Sequence, residues 1–175
     1  MNYKLLDLRV FGDERGKLIS LEGAQGAGAF GDGANGGASG GESGNANTSA
    51  SGGESGGASN PNSILRGVPF EIKRVYWIFD TLPDFDRGLH AHRELEQVIV
   101  AMDGACQFVL DDGRTREKVW LNRPDRALYI GKNMWREMRH FSYGCKLMVL
   151  ASEHYDEREY IRDYGEFLRG VKGEA

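Results

Sequence analysis

Two histidines separated by a single residue lie in the segment RGLHAHRELEQVIV, which runs from Arg87 to Val100. Residues i and i+2 of a β-strand project from the same face, so a strand here would place His90 and His92 side by side. Such a pair could bind a metal ion. It could equally move protons, because imidazole titrates near neutral pH. The class of protein depends on which chemistry applies.

A metal site would need further ligands at suitable positions. Glu96 completes the pattern His-x-His-x-x-x-Glu, the first half of the metal site in many double-stranded β-helix proteins, the cupins. Where the second half of such a barrel would supply another histidine, this chain has Arg136. A guanidinium has no lone pair to donate and would repel a cation. We therefore predict no metal ion here and favour acid–base chemistry by the two histidines.

Composition excludes several classes of function. The chain has 175 residues, enough for one domain, and its net charge of −4 provides no overall basic field to attract nucleic acid. No apolar run is long enough to span a bilayer, and the N-terminal residues lack a signal-peptide pattern. The two cysteines, Cys106 and Cys145, lack metal-site spacing. We expect a cytoplasmic protein that binds neither nucleic acid nor membranes.

The composition changes abruptly after Glu22. Residues 23–63 are mostly Gly, Ser, Ala and Asn, and the motif GGESG occurs twice. Apart from Phe30 this segment has nothing large to bury, so burial could not compensate for ordering its backbone. A phosphate-binding loop is the alternative, but no GK[ST] ending is present. We predict a flexible insertion within a single domain formed by residues 1–22 and 64–175.

Most of the remaining chain has the alternation and β-branched content of short antiparallel strands. Residues 107–121 are predicted to form a hairpin, with Asp112 and Gly113 supplying the turn. Close spacing of the strands favours a sandwich or a small barrel. The other predicted strands cover residues 4–10, 17–21, 70–79, 89–95, 96–104, 127–131, 134–141 and 145–152.

Only the C-terminal segment, residues 155–171, has apolar residues at helical spacing. Asp156 and Glu159 fit a capping box at its start. We expect the apolar face of this helix to pack on the barrel or on a partner subunit.

Several long motifs, in order, make the sequence similar to the dTDP-sugar 3,4-ketoisomerases, the FdtA/QdtA-like or WxcM-like cupins. They are DERGKL, VPFEIKRVYWIFDT, RGLHAHRELEQVIVAMDGACQFVLDDG, LYIGKNMWREMRHFS and MVLASEHYDEREYIRDYGEFL. The resemblance covers nearly the whole chain except residues 23–63. It implies an all-β cupin fold, a double-stranded β-helix or jelly-roll barrel, with a C-terminal α-helix.

The resemblance also implies a reaction and a set of residues. The substrate would be dTDP-4-dehydro-6-deoxy-α-D-glucose, whose ketone moves from C4 to C3 through an enediol, without a cofactor. His90 and His92 would transfer the protons, in an order that the sequence leaves open. Family positions that bind substrate correspond to Arg15, Tyr76, Arg87, Gln97 and Arg136.

Arg15 is typical of one branch of the family and Arg136 of the other, so the C4 configuration of the product stays open. Family members are homodimers, often with exchanged N-terminal strands, and we expect the same here.

The sequence is also compatible with three other interpretations. A 3,5-epimerase of dTDP-4-keto sugars has the same fold and also carries an Arg-Gly-x-His run. A metal-dependent cupin oxygenase would use the histidines as ligands. A noncatalytic cupin module would bind the nucleotide sugar without exchanging its protons.

Overall fold

The computed structural model describes residues 1–21, 64–65 and 68–173. These residues form two β-sheets packed face to face, a small separate hairpin, and one α-helix on the outside. The all-β barrel with a C-terminal helix predicted from the sequence is thereby confirmed. The insertion predicted at residues 23–63 lies outside the described residues and remains a prediction.

The first sheet has six strands, and all of its neighbouring strands are antiparallel except the pair at one edge. In spatial order they are β4 (Ile64–Leu65), β1 (Tyr3–Leu8), β10 (Arg126–Ile130), β7 (Gln97–Asp103), β12 (Lys146–Ala151) and β5 (Arg74–Ile78).

The second sheet has five antiparallel strands and carries the two histidines. The hairpin predicted around Gly113 is present, and the φ of +82° at this glycine explains why a glycine is needed there. In spatial order the strands are β13 (Tyr160–Ile161), β6 (Arg87–His92), β11 (Trp135–Arg139), β8 (Cys106–Asp111) and β9 (Arg116–Leu121).

Strands β2 (Val10–Asp13) and β3 (Gly16–Ile19) form the separate hairpin. Its apolar residues Phe11 and Leu18 are largely exposed. The hairpin therefore contributes little to the core.

Apolar side chains of the two sheets meet in the barrel interior. Phe108 and Leu110 from β8 pack in one cluster with Leu128 and Leu147 from the first sheet, and all four are fully buried. Each such side chain contributes roughly 1.5–3 kcal/mol to folding by leaving water. Toward one end of the interior, polar side chains take the inward positions, and these form the candidate site.

The C-terminal helix α1 (Tyr164–Lys172) begins later than the sequence predicted. Asp163 caps it by accepting a hydrogen bond from the backbone N–H of Glu166 at 2.6 Å. Asp156, the predicted cap, instead caps a 3-10 turn of three residues, Glu157–Glu159. The predicted start near residue 155 was wrong because the chain between these caps forms β13, which pairs with β6.

Helix α1 packs against the outer face of the second sheet. This is the first of the two expected arrangements, packing on the barrel rather than on a partner subunit. Phe167 is buried, and its ring lies 5.7 Å from that of Trp135 on β11. The helix thereby covers the strand that carries Arg136. Within the described residues, no helix is both long and apolar enough to cross a membrane.

Candidate active site

His90 and His92 project from the same face of β6, as their spacing predicted, and this face is the one that lines the barrel interior. Their Nε2 atoms lie 3.2 Å apart, and the two rings meet edge to face. His92 is buried, with 1 % of its surface exposed, whereas His90 is only partly buried. A ligand entering the barrel would therefore reach His90 before His92.

The hydrogen bonds of the two rings define which nitrogens carry protons. Nδ1 of His90 lies 2.9 Å from the carbonyl oxygen of Gly88, which can only accept, so this nitrogen carries the proton. In a neutral ring, Nε2 of His90 is then a bare lone pair, and Nε2 of His92 must be the donor between them. His90 thus keeps an unprotonated basic nitrogen inside the barrel.

The surroundings keep both rings neutral at physiological pH. Burial, followed by the nearby positive charge of Arg136, lowers the pKa of His90 to about 4. The same two causes, in the same order, lower the pKa of His92 still further. A neutral His90 is available as a base over the whole physiological range.

Arg136 on β11 is a buried cation, with 2 % of its surface exposed. Its guanidinium donates to the carbonyl of Met134 at 2.8 and 3.2 Å and to Oε1 of Gln97 at 2.9 Å. Burial lowers its pKa to about 10, and the groups that act to raise it are the phenols of Tyr76 and Tyr160 rather than a carboxylate. A buried charge without an anionic partner is costly, and such charges are typical of sites that stabilise negative charge on a ligand.

Gln97 connects Arg136 to the first sheet. While its Oε1 accepts from Arg136, its Nε2 donates to the hydroxyl of Tyr76 at 2.8 Å. Because a guanidinium can only donate, Arg136 defines the orientation of this amide. Five of the seven residues predicted from the sequence meet in this cluster: His90, His92, Tyr76, Gln97 and Arg136.

Sequence reasoning missed the wall formed by the segment that follows β12. The ring of Tyr160 lies 4.9 Å from that of His90 and 4.4 Å from that of His92. Arg162 lies over the Tyr160 ring at 4.5 Å, and Glu157 accepts from Arg162 at 2.9 Å. The helical spacing in this segment concealed the role of Tyr160. A usable signal was the second Asp-x-x-Glu pair, Asp163 and Glu166, which places Tyr160 before the helix.

Glu96, the carboxylate of the His-x-His-x-x-x-Glu pattern, accepts from the hydroxyl of Tyr129 at 2.9 Å on the outer side of the first sheet. Nowhere in the described part of the chain do three His, Cys, Asp or Glu side chains converge as metal ligands would. The positively charged group beside His90 and His92 is instead Arg136.

Arg15 and Arg87 lie outside the cluster. Arg15 is at the turn of the β2–β3 hairpin, where its side chain is 85 % exposed and pairs with Asp13. Arg87 is exposed at the start of β6. Together with residues of the preceding segment, 80–86, it lines a surface depression. Their predicted roles in substrate binding stay predictions.

A two-layered β-barrel with a neutral histidine pair and a buried arginine in its interior defines a cupin-type site suited to proton transfer. Comparisons with known proteins agree with this class. The family model described as WxcM-like, C-terminal (FdtA) matches residues 57–172. The chain therefore belongs to the FdtA, WxcM-like family.

Individual relatives are similar over most of their length. A TDP-4-oxo-6-deoxy-alpha-D-glucose-3,4-oxoisomerase of Aneurinibacillus thermoaerophilus is 50 % identical over 106 residues, which is 61 % of this chain and 76 % of the relative. A 3,4-ketoisomerase structure from Helicobacter canadensis is 47 % identical with a TM-score of 0.73, covering 98 % of both chains.

A third relative was solved with a ligand. QdtA, a sugar 3,4-ketoisomerase from Thermoanaerobacterium thermosaccharolyticum in complex with TDP, is 31 % identical with a TM-score of 0.72, covering 98 % of this chain and 96 % of that one. These relatives confirm the family and the fold that the sequence motifs indicated.

Proposed function

We propose that this protein is a 3,4-ketoisomerase of dTDP-4-dehydro-6-deoxy-α-D-glucose, an isomerase that needs no cofactor. The relative at 50 % identity is named as the 3,4-oxoisomerase of TDP-4-oxo-6-deoxy-alpha-D-glucose, and the structure at 47 % identity is named as a 3,4-ketoisomerase. The observation that carries the proposal is the neutral histidine pair, 3.2 Å apart, beside a buried arginine. An isomerisation through an enediol needs a neutral base and a group that stabilises an oxyanion, and the cluster contains both.

His90 is the base that we assign to the first step. The proton on C3 is acidic because C3 is adjacent to the C4 ketone, and Nε2 of His90 is the basic nitrogen on the accessible side of the pair. Removal of this proton sends the C–H electrons into a C3–C4 double bond and places negative charge on O4. The hydrogen bond that Nε2 of His90 accepts from His92 is long at 3.2 Å. Little free energy is therefore lost when this nitrogen turns from His92 to the C3 proton of the substrate.

Arg136 is the group that we assign to the negative charge. In the low-dielectric interior a fixed guanidinium stabilises an enediolate far more than it would in water, and it is already held in place by Gln97 and Met134. Transfer of a proton from O3 to O4 moves the charge to O3. The imidazolium of His90, which is only partly buried, exchanges its proton with solvent and then protonates C4, which leaves the ketone at C3 and regenerates the neutral base.

A homodimer fits two exposed surfaces. The edge strand β5 presents Trp77, whose side chain is 60 % exposed like that of the neighbouring Phe79, and the hairpin presents Phe11 and Leu18. Among the described strands, β5 has a neighbour on one side only, and such an edge with an apolar face is a template for another chain. Exchange of the hairpin between two copies would also bring Arg15 to the partner's barrel. The buried free thiols of the two cysteines are in keeping with a cytoplasmic enzyme.

The test is NMR of dTDP-4-keto-6-deoxyglucose incubated with the protein in D₂O in the presence of EDTA. A ketone at C3 with deuterium at C4 is the expected result, and the coupling constants of the product give its C4 configuration. The variant His90→Asn should produce no deuterated product, whereas the matched variant His154→Asn, at an exposed position after β12, should behave as wild type.

Other products would identify the rival functions. Deuterium at C3 and C5 with the ketone still at C4 would identify a 3,5-epimerase. Activity that EDTA abolishes and a metal ion restores would identify a metal-dependent enzyme. Binding of TDP without any exchange would leave only a nucleotide-sugar binding module.

A further inference from the structure

Strand β6 contains two consecutive left-handed residues immediately before His90. The φ angles are +84° at Gly88 and +55° at Leu89. The register with β11 shifts at the same place, so that His90 pairs with Arg136 while Gly88 pairs with Glu137. A left-handed backbone is strained for leucine and persists only where the surrounding structure requires it.

This bulge changes the direction of one carbonyl group. Carbonyl groups of a regular strand lie in the plane of the sheet and point at the neighbouring strands, whereas side chains stand on its faces. The Gly88 carbonyl instead meets Nδ1 of His90, which stands on the inner face of the same strand, at 2.9 Å. The left-handed pair thus supplies a hydrogen-bond acceptor that a regular strand would not.

Position 88 also requires glycine for a steric reason. A Cβ atom there would lie 2.9 Å from the backbone oxygen of Arg136 and 3.4 Å from Cα of Glu137. Backbone atoms cannot move aside as the end of a flexible side chain can. Glycine therefore permits both the left-handed φ and the close approach of β6 to β11.

We propose that the Gly88–Leu89 bulge is a positioning element that holds His90 in the Nδ1–H tautomer and so directs a lone pair on Nε2 into the barrel. The tautomer of a neutral imidazole is set by the hydrogen bond that the other nitrogen makes, and Gly88 supplies it here. His92 is fixed in turn, since its Nε2 must donate to His90. The Nδ1 atom of His92 is buried without a hydrogen-bond partner in the described residues, as expected for a nitrogen that carries no proton.

The first test is the tautomeric state of the histidines in the free protein, measured by long-range ¹H–¹⁵N correlation NMR near pH 7. The chain has four histidines, so His140 and His154 serve as internal references. We expect the ring proton of His90 on Nδ1 and that of His92 on Nε2. A ring proton on Nε2 of His90 would overturn the proposal, and this result does not depend on any variant.

The second test compares two substitutions of Leu89, whose side chain is 45 % exposed and loses little packing when shortened. Leu89→Gly accepts the left-handed backbone, so it should keep the tautomer and a kcat within about twofold of wild type. Leu89→Val resists this backbone because valine is β-branched. It should shift His90 mostly to the other tautomer and lower kcat about tenfold or more with little change in KM, because the base is then lost in most of the molecules.

Two further variants distinguish the positioning of His90 from the general effect of placing alanine at a residue with positive φ. Gly88→Ala should act like Leu89→Val, whereas Gly144→Ala should leave both the tautomers and kcat unchanged. Gly144 also has a positive φ, of +72°, but no atom lies within 4 Å of its Cβ position. A folded Leu89→Val protein with wild-type tautomers and kcat would refute the role of the bulge.

The inference rests on His90 acting as the base of the proposed ketoisomerase, but the two can fail separately. The tautomers are measured without substrate. If they are as expected and no ketone moves in the D₂O experiment, the proposed function fails while the role of the bulge in fixing His90 stands.

Discussion

Arg136 and His90 are direct partners across the ladder that joins β11 to β6. A cation is thereby fixed next to a group that could itself become a cation, and the arginine is the second-largest cause, after burial, of the low pKa of His90. This relationship makes the base resistant to protonation and determines how the activity should depend on pH.

We expect kcat/KM to stay level from pH 7 down to about pH 5 and to fall only as the pH approaches 4, the pKa of His90. The base works in its unprotonated form, so a lowered pKa moves the acidic limb of the kcat/KM profile to lower pH. Other groups act on the ring in both directions: Arg162 lowers this pKa, whereas Glu157 and the Gly88 carbonyl raise it. A limb near pH 6.5, with the circular dichroism of a folded protein, would contradict this assignment.

Replacement of Arg136 by methionine should separate activity from stability. We expect kcat to fall about 100-fold or more because the enediolate loses its cation. The acidic limb should move to higher pH, since the remaining enzyme no longer has a positive charge that opposes protonation of His90. Thermal stability should change little, because the relief from burying a charge is offset by the loss of the hydrogen bonds to Gln97 and the Met134 carbonyl.

The matched control for this variant is Arg126→Met. Arg126 pairs with Asp7 at 3.0 Å on the first sheet, where both side chains are partly exposed. Its loss should leave kcat and the pH profile unchanged. An Arg136→Met enzyme with wild-type kcat would show that the guanidinium does not act on the reacting oxygens.

Phe167 should be a major contributor to the attachment of helix α1. It is 1 % exposed, and its ring lies against the rings of Trp135 and Tyr164. We expect Phe167→Ala to lower the free energy of unfolding by about 3–5 kcal/mol, measured by urea denaturation. The neighbouring Leu168→Ala, at a partly buried position, should cost only about 1 kcal/mol. Equal effects of the two substitutions would contradict the observed orientation of α1, in which the face with Phe167 packs on the sheet.

The strands and the histidine face were predictable because their signals are local. Alternation of period two placed His90 and His92 on one face, and the Asp112–Gly113 turn fixed the hairpin. Tyr160 was not predictable in the same way. Apolar residues at helical spacing run continuously from Tyr160 to Val171, and only the pairing of Tyr160 with His92, 68 positions earlier in the chain, makes this residue part of a strand.

The buried arginine shows a second limit of sequence reasoning. The motif placed Arg136 in the pocket, but its interactions with Gln97 and the Met134 carbonyl depend on how two sheets meet. Arg15 is the opposite case, since its own subunit leaves it at an exposed turn. If a second copy of the chain completes the site of Arg15, as we propose, neither the sequence nor a single chain is enough to place this residue.

Deletion of residues 26–58 should leave kcat within about twofold of wild type. Their composition offers almost no apolar surface to bury, and each doubling of a flexible connection changes its closure cost by only about 0.6 kcal/mol. The measurement is turnover of the deletion variant beside its thermal midpoint. Loss of turnover with an unchanged midpoint would assign the segment a direct role in catalysis.

Exchange of the β2–β3 hairpin between subunits predicts a specific result for mixed dimers. The variants His90→Asn and Arg15→Ala should each be strongly impaired as homodimers. In a mixed dimer with exchanged hairpins, the subunit that retains His90 receives Arg15 from its partner, so one complete site is formed. If the subunits mix randomly, half of the dimers carry one such site, and activity should recover to about a quarter of wild type.

The same experiment excludes an arrangement within one subunit. If Arg15 served the barrel of its own chain, both sites of the mixed dimer would lack one residue, and mixing would restore nothing. A control mixture of Arg15→Ala with His92→Asn should recover activity in the same way as the first, because His92 lies in the same barrel as His90. Recovery in both mixtures would establish that each active site is built from two chains. Absence of recovery, with subunit exchange demonstrated by differently tagged chains, would show that the exposed hairpin has another use.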